Sequence, residues 1–393
     1  MARIAVLGAG IMGACLAIFL ARRGEEVVLF DAAHAPLTGA SRWNEGKIHL
    51  GYLYANDQSL STAAHLVTGG LAFAPLMEEL TGRPLKKIAP GDDLYLIHAR
   101  SVVPPDQAGA YFARVSQLVR ERAGGARYLK DCADARAYAL SAAELGAVAG
   151  EAIVAGFRVP ERSLCTVTLA DQLVDALAAE SRIVHRMGTL VREVAAIDGD
   201  EGAWRVHGEA FDYVVNALWH GRLAVDATAG LAPPPGWSHR YRVSAFIRTT
   251  HDIVAPSAVV AVGPFGDFKA YDARTFYASW YSAGLLADSG DVAPPSPPTL
   301  SGVAKRDIAQ RIASELGAHL PIVREVFAAT ESVAIEGGYV FAQGHGALDD
   351  PAATLHRRDR FGVRRKGRYI SIDTGKYSTA PWLAHAVAQE IAR

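Results

Sequence analysis

The sequence is poor in cysteine and carries almost no net charge. Its 393 residues include only three cysteines, Cys15, Cys132 and Cys165, which form neither a CxxC pair nor a disulfide framework. A reducing compartment is therefore expected, and we predict a cytoplasmic protein. The 40 basic and 41 acidic side chains give a formal net charge of −1. This balance gives no reason to expect nucleic acid or an anionic membrane surface as a partner.

Motifs typical of two other classes of protein are also missing. The 13 histidines show no HxxxH or HxH spacing supported by acids, so no metal site is expected. No GxSxG follows a predicted strand, which leaves a Ser-His-Asp hydrolase unsupported. One uncharged and almost wholly apolar run, residues 4–21, is of borderline length for a membrane span or a signal peptide. The glycines inside this run and the apolar strand after it favour a buried globular element, so no membrane span is expected.

Those glycines form the GxGxxG pattern of a dinucleotide-binding βαβ unit. Gly8 permits the tight turn, Gly10 lets the backbone approach a pyrophosphate, and Gly13 lets helix and strand pack closely. The helix N-terminus then offers free N–H groups to the phosphates. Asp31, at the end of the second strand, can bind ribose hydroxyls and would repel a 2′-phosphate, which argues against NADP. The predicted elements are a strand at residues 3–7, a helix at 11–23 and a strand at 27–30.

The segment after this unit helps to distinguish FAD from NAD. Residues 39–54 are polar and punctuated by glycine, where an NAD-binding domain would usually continue with another buried α/β unit. Ser41 and Arg42 could reach phosphate oxygens, because hydroxyl and guanidinium groups are natural partners for them. The stretch from Asn44 to His49 could pass beside a redox ring. The alternative is a surface loop with solvated basic side chains.

Taken with these motifs, later stretches resemble the FAD-dependent amino-acid and amine oxidoreductases. This is the superfamily of D-amino acid oxidase, glycine oxidase, sarcosine oxidase and the 2-hydroxyglutarate and glycerol-3-phosphate dehydrogenases. The stretches are GTLVREVAAI at 188–197, FDYVVNALW at 211–219 and YISIDTGKYSTAPWLAHAVAQEI at 369–391. The sequence KIH-x-G that begins at Lys47 is similar to the glycerol-3-phosphate branch. Trp219 stands where the family often has a small residue, and the W-x-G-x-R-P-x-T-x-D segment is absent.

The resemblance implies a bound FAD, and noncovalent attachment is favoured over a covalent link through His49. It implies that a helix near the C-terminus points its N-terminus at the flavin ring, where it would stabilise the negative charge of the reduced state. The residues implied are Gly8, Gly10, Ile11, Met12 and Gly13 at the pyrophosphate, with Ser41 and Arg42 in support; Asp31 at the ribose and Val191 at the adenine; Asn216, Ala217, Leu218 and Trp219 near the dinucleotide; Gly46, Lys47, Ile48 and His49 under the isoalloxazine; and Gly375, Lys376, Tyr377, Ser378 and Thr379 at its pyrimidine edge.

The predicted fold class is α/β, or α+β overall. A Rossmann-like FAD-binding domain is expected to carry a second domain with a mostly antiparallel sheet, which would roof the flavin and bind the substrate. Alternating apolar positions between residues 237 and 320 are typical of antiparallel strands. We assign residues 1–85, 150–230 and 330–393 to the first domain, and residues 86–149 and 231–329 to the second.

The candidates for contact with substrate are His49, Lys269, Tyr271, Tyr277 and Tyr281. The tyrosines could bind a carboxylate or stack on a ring, and Lys269 could hold an anion or favour reduction of oxygen by its charge. His49 could act as a general base or hydrogen-bond donor near the flavin N5 atom. Each of these side chains could instead have a purely structural role. Three arginines are expected to be solvated, although one could clamp a substrate anion; they are Arg357, Arg358 and Arg360.

The expected activity is removal of a hydride from a C–N bond of a small amine or amino acid to flavin N5, which gives an imine. The runner-up is a 2-hydroxy-acid or polyol dehydrogenase or oxidase of the same fold, suggested by KIH-x-G. A noncatalytic dinucleotide-binding Rossmann protein is an alternative of another class. The partner is expected to be a small-molecule substrate, with molecular oxygen as one candidate acceptor.

Overall fold

The computed structural model describes residues 1–125, 127–197 and 200–393. The strands are β1 (Arg3–Leu7), β2 (Glu26–Phe30), β3 (Lys47–Ile48), β4 (Asp93–His98), β5 (Tyr138–Ala139), β6 (Ile153–Val159), β7 (Arg162–Ser163), β8 (Ile183–Arg186), β9 (Ala195–Ile197), β10 (Asp200–Val206), β11 (Glu209–Phe211), β12 (Tyr213–Asn216), β13 (Trp237–Thr249), β14 (Ala258–Ala261), β15 (Gly266–Ala270), β16 (Thr275–Trp280), β17 (Leu285–Ser289), β18 (Thr330–Gln343), β19 (Gly362–Lys366) and β20 (Tyr369–Asp373). The helices are α1 (Ile11–Arg22), α2 (Ser61–Thr81), α3 (Pro105–Ala123), α4 (Ala142–Val148), α5 (Thr166–Ala179), α6 (Arg222–Thr228), α7 (Tyr281–Gly284), α8 (Gly302–His319), α9 (Ile322–Ala328) and α10 (Ala380–Ile391).

The first sheet has the order β19-β20-β12-β1-β2-β8. All its neighbours are parallel except the edge pair of β19 and β20. The glycine turn therefore leaves β1 at the carboxyl edge of a parallel sheet, where such sheets bind their ligands. Helix α1 packs against α2, α5 and α10 as well as β1 and β2, and residues 11–21 are all buried. A helix that is apolar on every side is expected in such a position, which explains the apolar run.

The second sheet is larger and mainly antiparallel. Its order is β17-β13-β16-β15-β14-β4-β6-β5, with β18 along the other edge of β13. Among the described residues of this sheet, the one parallel contact is between β4 and β14. Helices α8 and α9 cover one face of this sheet and form a second apolar core with it. Together the two sheets confirm the predicted α/β, overall α+β, fold class.

Two strands that the predicted domain division assigns to the FAD-binding domain lie in the larger sheet. β18 begins at residue 330 and pairs with β13 along its length, and β6 pairs antiparallel with β4. Both therefore belong to the larger sheet, although their residues were assigned to the FAD-binding domain. Apolar patterning predicts that a strand forms but not which strand it pairs with. The division into two domains stays a proposal, in which these two strands move to the second domain.

In the three described ranges, the helices are too short or too polar to cross a lipid bilayer.

Candidate active site

A cavity of about 1180 Å³ lies where the glycine turn of the first sheet faces the larger sheet. Ligand pockets usually occupy about 300–1,000 Å³, so this cavity has room for a dinucleotide together with a small molecule. Its wall includes many of the residues implied by the sequence. They are Gly8, Gly10, Ile11, Met12, Asp31, Ser41, Lys47, His49, Val191, Ala217, Leu218, Trp219, Tyr277, Tyr281, Gly375, Lys376 and Tyr377.

Other residues implied by the sequence do not line the cavity but pack against the segments that do. A Cβ on Gly13 or Gly46 would lie 1.8 Å from a backbone oxygen, so both permit close packing. The Asn216 amide lies in a buried network with Asp226. Arg42 pairs with Asp171 at 2.6 Å and lies outside the wall, and its role as a phosphate ligand stays a prediction. Also outside the wall are Ile48, Ser378 and Thr379.

The glycine turn is fixed by its neighbours in a shape that presents backbone to the cavity. Gly8 has φ of +98°, and a Cβ there would lie 2.7 Å from the Ala217 oxygen. The Ser41 hydroxyl accepts a hydrogen bond from the Ile11 N–H at 2.9 Å, at the start of α1. Asp31 accepts the Ala9 N–H at 2.6 Å. A carboxylate has about four acceptor sites, so Asp31 keeps capacity for a ribose hydroxyl.

Trp219 remains in the wall although it replaces a small residue of the family. Its backbone has φ of +57°, and its indole N–H donates to the Tyr339 carbonyl at 2.7 Å. That bond ties the turn after β12 to β18 of the larger sheet. The bulky side chain is therefore held against the second sheet.

The predicted ring-binding segment is held by a buried network of charges. Lys47 lies 2.6 Å from Asp93 and 3.6 Å from Glu161. Burial lowers the pKa of Lys47, but Asp93 and Glu161 outweigh it and the pKa is raised overall. The other oxygen of Glu161 accepts the backbone N–H of Leu50 at 2.5 Å. These bonds hold the chain on both sides of His49.

His49 is a neutral imidazole that faces the cavity. Burial, followed by the charges of Lys376 and Lys47, lowers its pKa well below the usual value. Its Nδ1 atom has no hydrogen-bond partner among the described residues. In a neutral imidazole one ring nitrogen donates a hydrogen bond and the other accepts one, according to the tautomer.

Two of the predicted substrate contacts do not reach the cavity. The Lys269 ammonium group is fully buried and lies 2.8 Å from Asp93, the carboxylate that Lys47 also contacts. Direct binding of a substrate anion by Lys269 is therefore corrected, because its charge is already paired. Tyr271 is buried and donates its hydroxyl to the Glu45 carbonyl at 2.9 Å. Its role is to hold the loop that carries Glu45.

The other two tyrosines line the cavity. The Tyr277 hydroxyl lies 2.9 Å from the Ser244 hydroxyl. The Tyr281 hydroxyl accepts a hydrogen bond of 2.9 Å from the Arg240 guanidinium, and the Arg242 guanidinium lies 4.6 Å from the centre of its ring. Tyr281 thus separates two arginines and contacts both.

Sequence reasoning missed several charged residues of the wall. Arg240 and Arg242 were not singled out, although alternate positions on one strand point to the same face, and this was the available signal. Arg358 was expected to be solvated, but it lines the cavity and donates to the Phe341 carbonyl at 3.1 Å. Asp267 accepts the Ser279 hydroxyl at 2.6 Å. Burial and then Glu45 raise the pKa of Asp267, against the opposing charge of Lys269.

The charge of Lys376 should change with pH near neutrality. Burial, followed by the positive charge of Arg358, lowers the pKa of Lys376 to about 7, while Glu45 opposes the shift. In the unfolded chain, Lys376 keeps its proton until about pH 10. Between pH 7 and 10 the unfolded chain therefore binds more protons at this residue than the folded protein does. The free energy of unfolding of the wild type should therefore rise, relative to that of Lys376→Met, from pH 7 to 10. Denaturant titrations measure the difference, with the exposed Lys86→Met as control; parallel profiles for wild type and Lys376→Met would contradict the expectation.

Comparison with known proteins supplies the family. The family model described as FAD dependent oxidoreductase matches residues 3–347. No curated protein matches the sequence. Among solved structures, glycine oxidase from Geobacillus kaustophilus is similar at 16% identity and a TM-score of 0.65, covering 100% of this chain and 94% of that one. Iminodiacetate oxidase from Chelativorans sp. BNC1 has 14% identity and a TM-score of 0.64, with 99% and 95% covered. L-alpha-glycerophosphate oxidase from Mycoplasma pneumoniae, solved with FAD bound, has 15% identity and a TM-score of 0.61, with 99% and 94% covered.

Proposed function

Because the chain belongs to the family of FAD-dependent oxidoreductases, we propose that it oxidises a C–N bond of a small amine or amino acid. FAD is the cofactor of this family, and when bound it accepts the hydride that leaves the substrate. The resemblance seen in the sequence is confirmed at the level of the family, and the protein is an FAD-dependent enzyme.

The cavity fits this cofactor. We place the pyrophosphate at the backbone of Gly8, Gly10 and the first residues of α1, because a Cβ at Gly8 would already meet the Ala217 oxygen. Asp31 and Val191 line the same end of the cavity, which suits the adenosine. The redox ring would then lie near Lys47, His49 and the turn at residues 374–377, and noncovalent attachment is part of the proposal.

The observation that carries the proposal is that one cavity contains both acidic and basic side chains without direct ion pairs between them. Arg240 and Arg358 line it, and neither forms an ion pair in the described residues. Glu45 and Asp267 line it as well, and the charge of Glu45 raises the pKa of Asp267. In a substrate with both a carboxylate and an amine, the carboxylate can bind the arginines and the ammonium group can bind the acidic side chains. An amino acid is therefore the substrate class that this wall suits best.

Two groups can take the proton that an ammonium substrate must lose before its nitrogen lone pair is available. Asp267 has a raised pKa, which makes its carboxylate a stronger base than an ordinary one. His49 is neutral and has a free Nδ1 atom. His49 also supports the alternative activity, because a neutral imidazole can accept the proton of a substrate hydroxyl group. Oxidation of a 2-hydroxy acid or polyol is thus the second candidate.

Flavin reduction without oxygen separates the two candidates. The purified holoenzyme is mixed anaerobically with matched pairs, such as alanine with lactate and glutamate with 2-hydroxyglutarate, in both configurations. We expect loss of the flavin absorbance with amino acids or amines and release of ammonia or amine after hydrolysis of the imine. Reduction by the hydroxy acids alone would overturn the proposal and favour the runner-up. Reoxidation by air or by a dye then tests whether molecular oxygen is the acceptor.

We also propose that the protein acts in the cytoplasm. Its three cysteines are free thiols, and all of them are buried. Burial raises the pKa of Cys132 to about 11 and thereby keeps the thiol protonated and unreactive. Such thiols are typical of proteins in reducing compartments.

A further inference from the structure

Four cationic side chains share one end of the cavity. Arg240 and Arg242 come from β13, Arg358 from the loop before β19, and Lys376 from the turn after β20. Their charges interact: burial and then the positive charge of Arg240 are the largest causes that lower the pKa of Arg358 to about 10. Lys376 responds to the other three in the same direction. Like charges are thus held together against their mutual repulsion.

These cations have almost no counter-charge in the protein. In the described part of the chain, none of the four forms an ion pair, unlike Lys47 and Lys269, which share Asp93. The Nε atoms of Arg240 and Arg242 are buried and lack any hydrogen-bond partner there. Their side-chain contacts are neutral: the Tyr281 hydroxyl and ring, the Tyr54 ring and one backbone carbonyl. Buried polar groups are nearly always paired, so this arrangement calls for an anion from outside the chain.

The nearby acids of the described residues cannot balance the cluster: Asp373 acts on Arg358 but is already paired with Arg222, which leaves Glu45. Glu45 is the one carboxylate that raises the pKa of Lys376 among its main influences. It also acts on Asp267 and Tyr277, so it is shared with the opposite part of the wall. One substrate carboxylate and Glu45 together would still leave more positive than negative charge around the four cations.

The phosphates of the cofactor are an unsuitable source for the missing charge. The turn we assign to them is at Gly8 and Gly10, with Ser41 close by. The cationic cluster lies with His49 and Tyr54 instead: Lys376 and Arg358 act on the pKa of His49, and the Lys376 ammonium lies 5.5 Å from the centre of the Tyr54 ring. This is the end of the cavity assigned to the redox ring and the substrate.

We propose that the substrate carries a second anionic group, a carboxylate or a phosphate, in addition to the carboxylate of an ordinary amino acid. The inference rests on the proposed function for the place of the reaction, and it specifies the substrate class. Arg240, Arg242 and Arg358 offer planar forks that match two oxygens of either group. Lys376 adds a point charge at the turn beside the ring. Substrates with a single charge leave part of this set unpaired and bind less tightly.

Binding of inert anions to the holoenzyme tests the proposal without turnover. Malonate, methyl phosphate and acetate are titrated by calorimetry at pH 6.5 and constant ionic strength, because surface charge effects depend on salt. We expect malonate, methyl phosphate or both to bind about 10- to 100-fold more tightly than acetate. Preference for malonate assigns the second group as a carboxylate, and preference for methyl phosphate assigns it as a phosphate. Equal affinities for all three would overturn the proposal.

Variants locate the binding to the cluster. Arg242→Met and Arg358→Met should each weaken the preferred dianion about tenfold or more and acetate by a smaller factor. Arg242→Lys and Arg358→Lys, which keep the charge, should recover part of the affinity and guard against misfolding. Arg248→Met is the matched control, since Arg248 lies on the same strand but is exposed and pairs with Glu331. The methionine variants could instead lose flavin while the holoenzyme that remains binds the dianion with normal affinity. That result would mean that the cluster binds the cofactor and that the proposal is wrong.

A second substrate panel distinguishes failure of the second-charge proposal from failure of the proposed C–N oxidation. Anaerobic flavin reduction is compared for glutamate and glutamine, for phosphoserine and serine, and for 2-hydroxyglutarate and lactate. Faster reduction by the dianionic member of any reactive pair supports the second charge. Reduction by 2-hydroxyglutarate and by none of the amines would refute the C–N proposal and leave the second charge intact. Reduction by glutamine as fast as by glutamate, with serine equal to phosphoserine, would refute the second charge alone.

Discussion

Replacement of Asp93 by Asn is expected to lower the free energy of unfolding by about 3–5 kcal/mol. Asp93 is fully buried, and one of its oxygens contacts the ammonium groups of both Lys47 and Lys269, at 2.6 and 2.8 Å. Burial alone would raise the pKa of Asp93, but the two lysines outweigh it and lower the pKa. An amide in this place would leave two buried positive charges with too little counter-charge. Chemical denaturation in the presence of excess FAD measures the loss.

Two further variants show whether the charge is responsible. Asp272→Asn removes a carboxylate from the exposed pair with Lys87, whose side chains are 40% and 34% accessible, and should cost less than about 1 kcal/mol. The double variant Asp93→Asn/Lys269→Met removes one of the stranded ammonium groups and should recover part of the stability. A loss below 1 kcal/mol for Asp93→Asn would mean that the lysines do not depend on this carboxylate for compensation.

The first βαβ unit could be predicted from the sequence almost to the residue. The expected strand at 3–7, helix at 11–23 and strand at 27–30 are observed as β1, as α1 ending at Arg22, and as β2 beginning at Glu26. Local signals determine these elements: an apolar run, a glycine turn and a glycine after the helix. The same signals predict a bound dinucleotide, because the backbone of such a turn binds phosphate. FAD was distinguished from NAD by the segment at 39–54 and by the resemblance to the family.

The substrate end of the cavity could be predicted only in part, because it is assembled from distant segments. Lys269 was expected to hold an anion, but its pairing with Asp93 joins β15 to β4, and no local pattern reveals such a contact. Arg358 was expected in solvent because it lies in a polar loop, yet that loop folds over the cavity. Tyr277 and Tyr281 were predicted to contact the substrate. Both line the cavity, and their contact with substrate stays a prediction.

Substitution of Gly13 by Ala is expected to abolish stable retention of FAD and to cost about 3 kcal/mol of stability, the upper part of the range for overpacked cores. A Cβ on Gly13 would lie 1.8 Å from the Gly8 carbonyl oxygen, a separation that no rotation of a side chain can relieve. Helix α1 would have to move away from β1, and its residues 11–21 are buried on every side. The backbone at the glycine turn would then lose its alignment with the phosphates.

Two other glycines separate the effect on the fold from the effect on the cofactor. A Cβ on Gly10 would meet only the Ser41 hydroxyl, at 3.0 Å, so Gly10→Ala should reduce the ratio of flavin to protein while the apoprotein keeps its unfolding midpoint. Gly146 lies in α4 with nothing within 4 Å of its added Cβ, and Gly146→Ala should stabilise the fold by up to about 1 kcal/mol. Flavin absorbance after gel filtration and thermal unfolding of apoprotein and holoprotein provide the measurements. Full FAD content and an unchanged midpoint in Gly13→Ala would show that α1 and β1 tolerate a wider separation, and that the third glycine of the motif is not required for close packing in this chain.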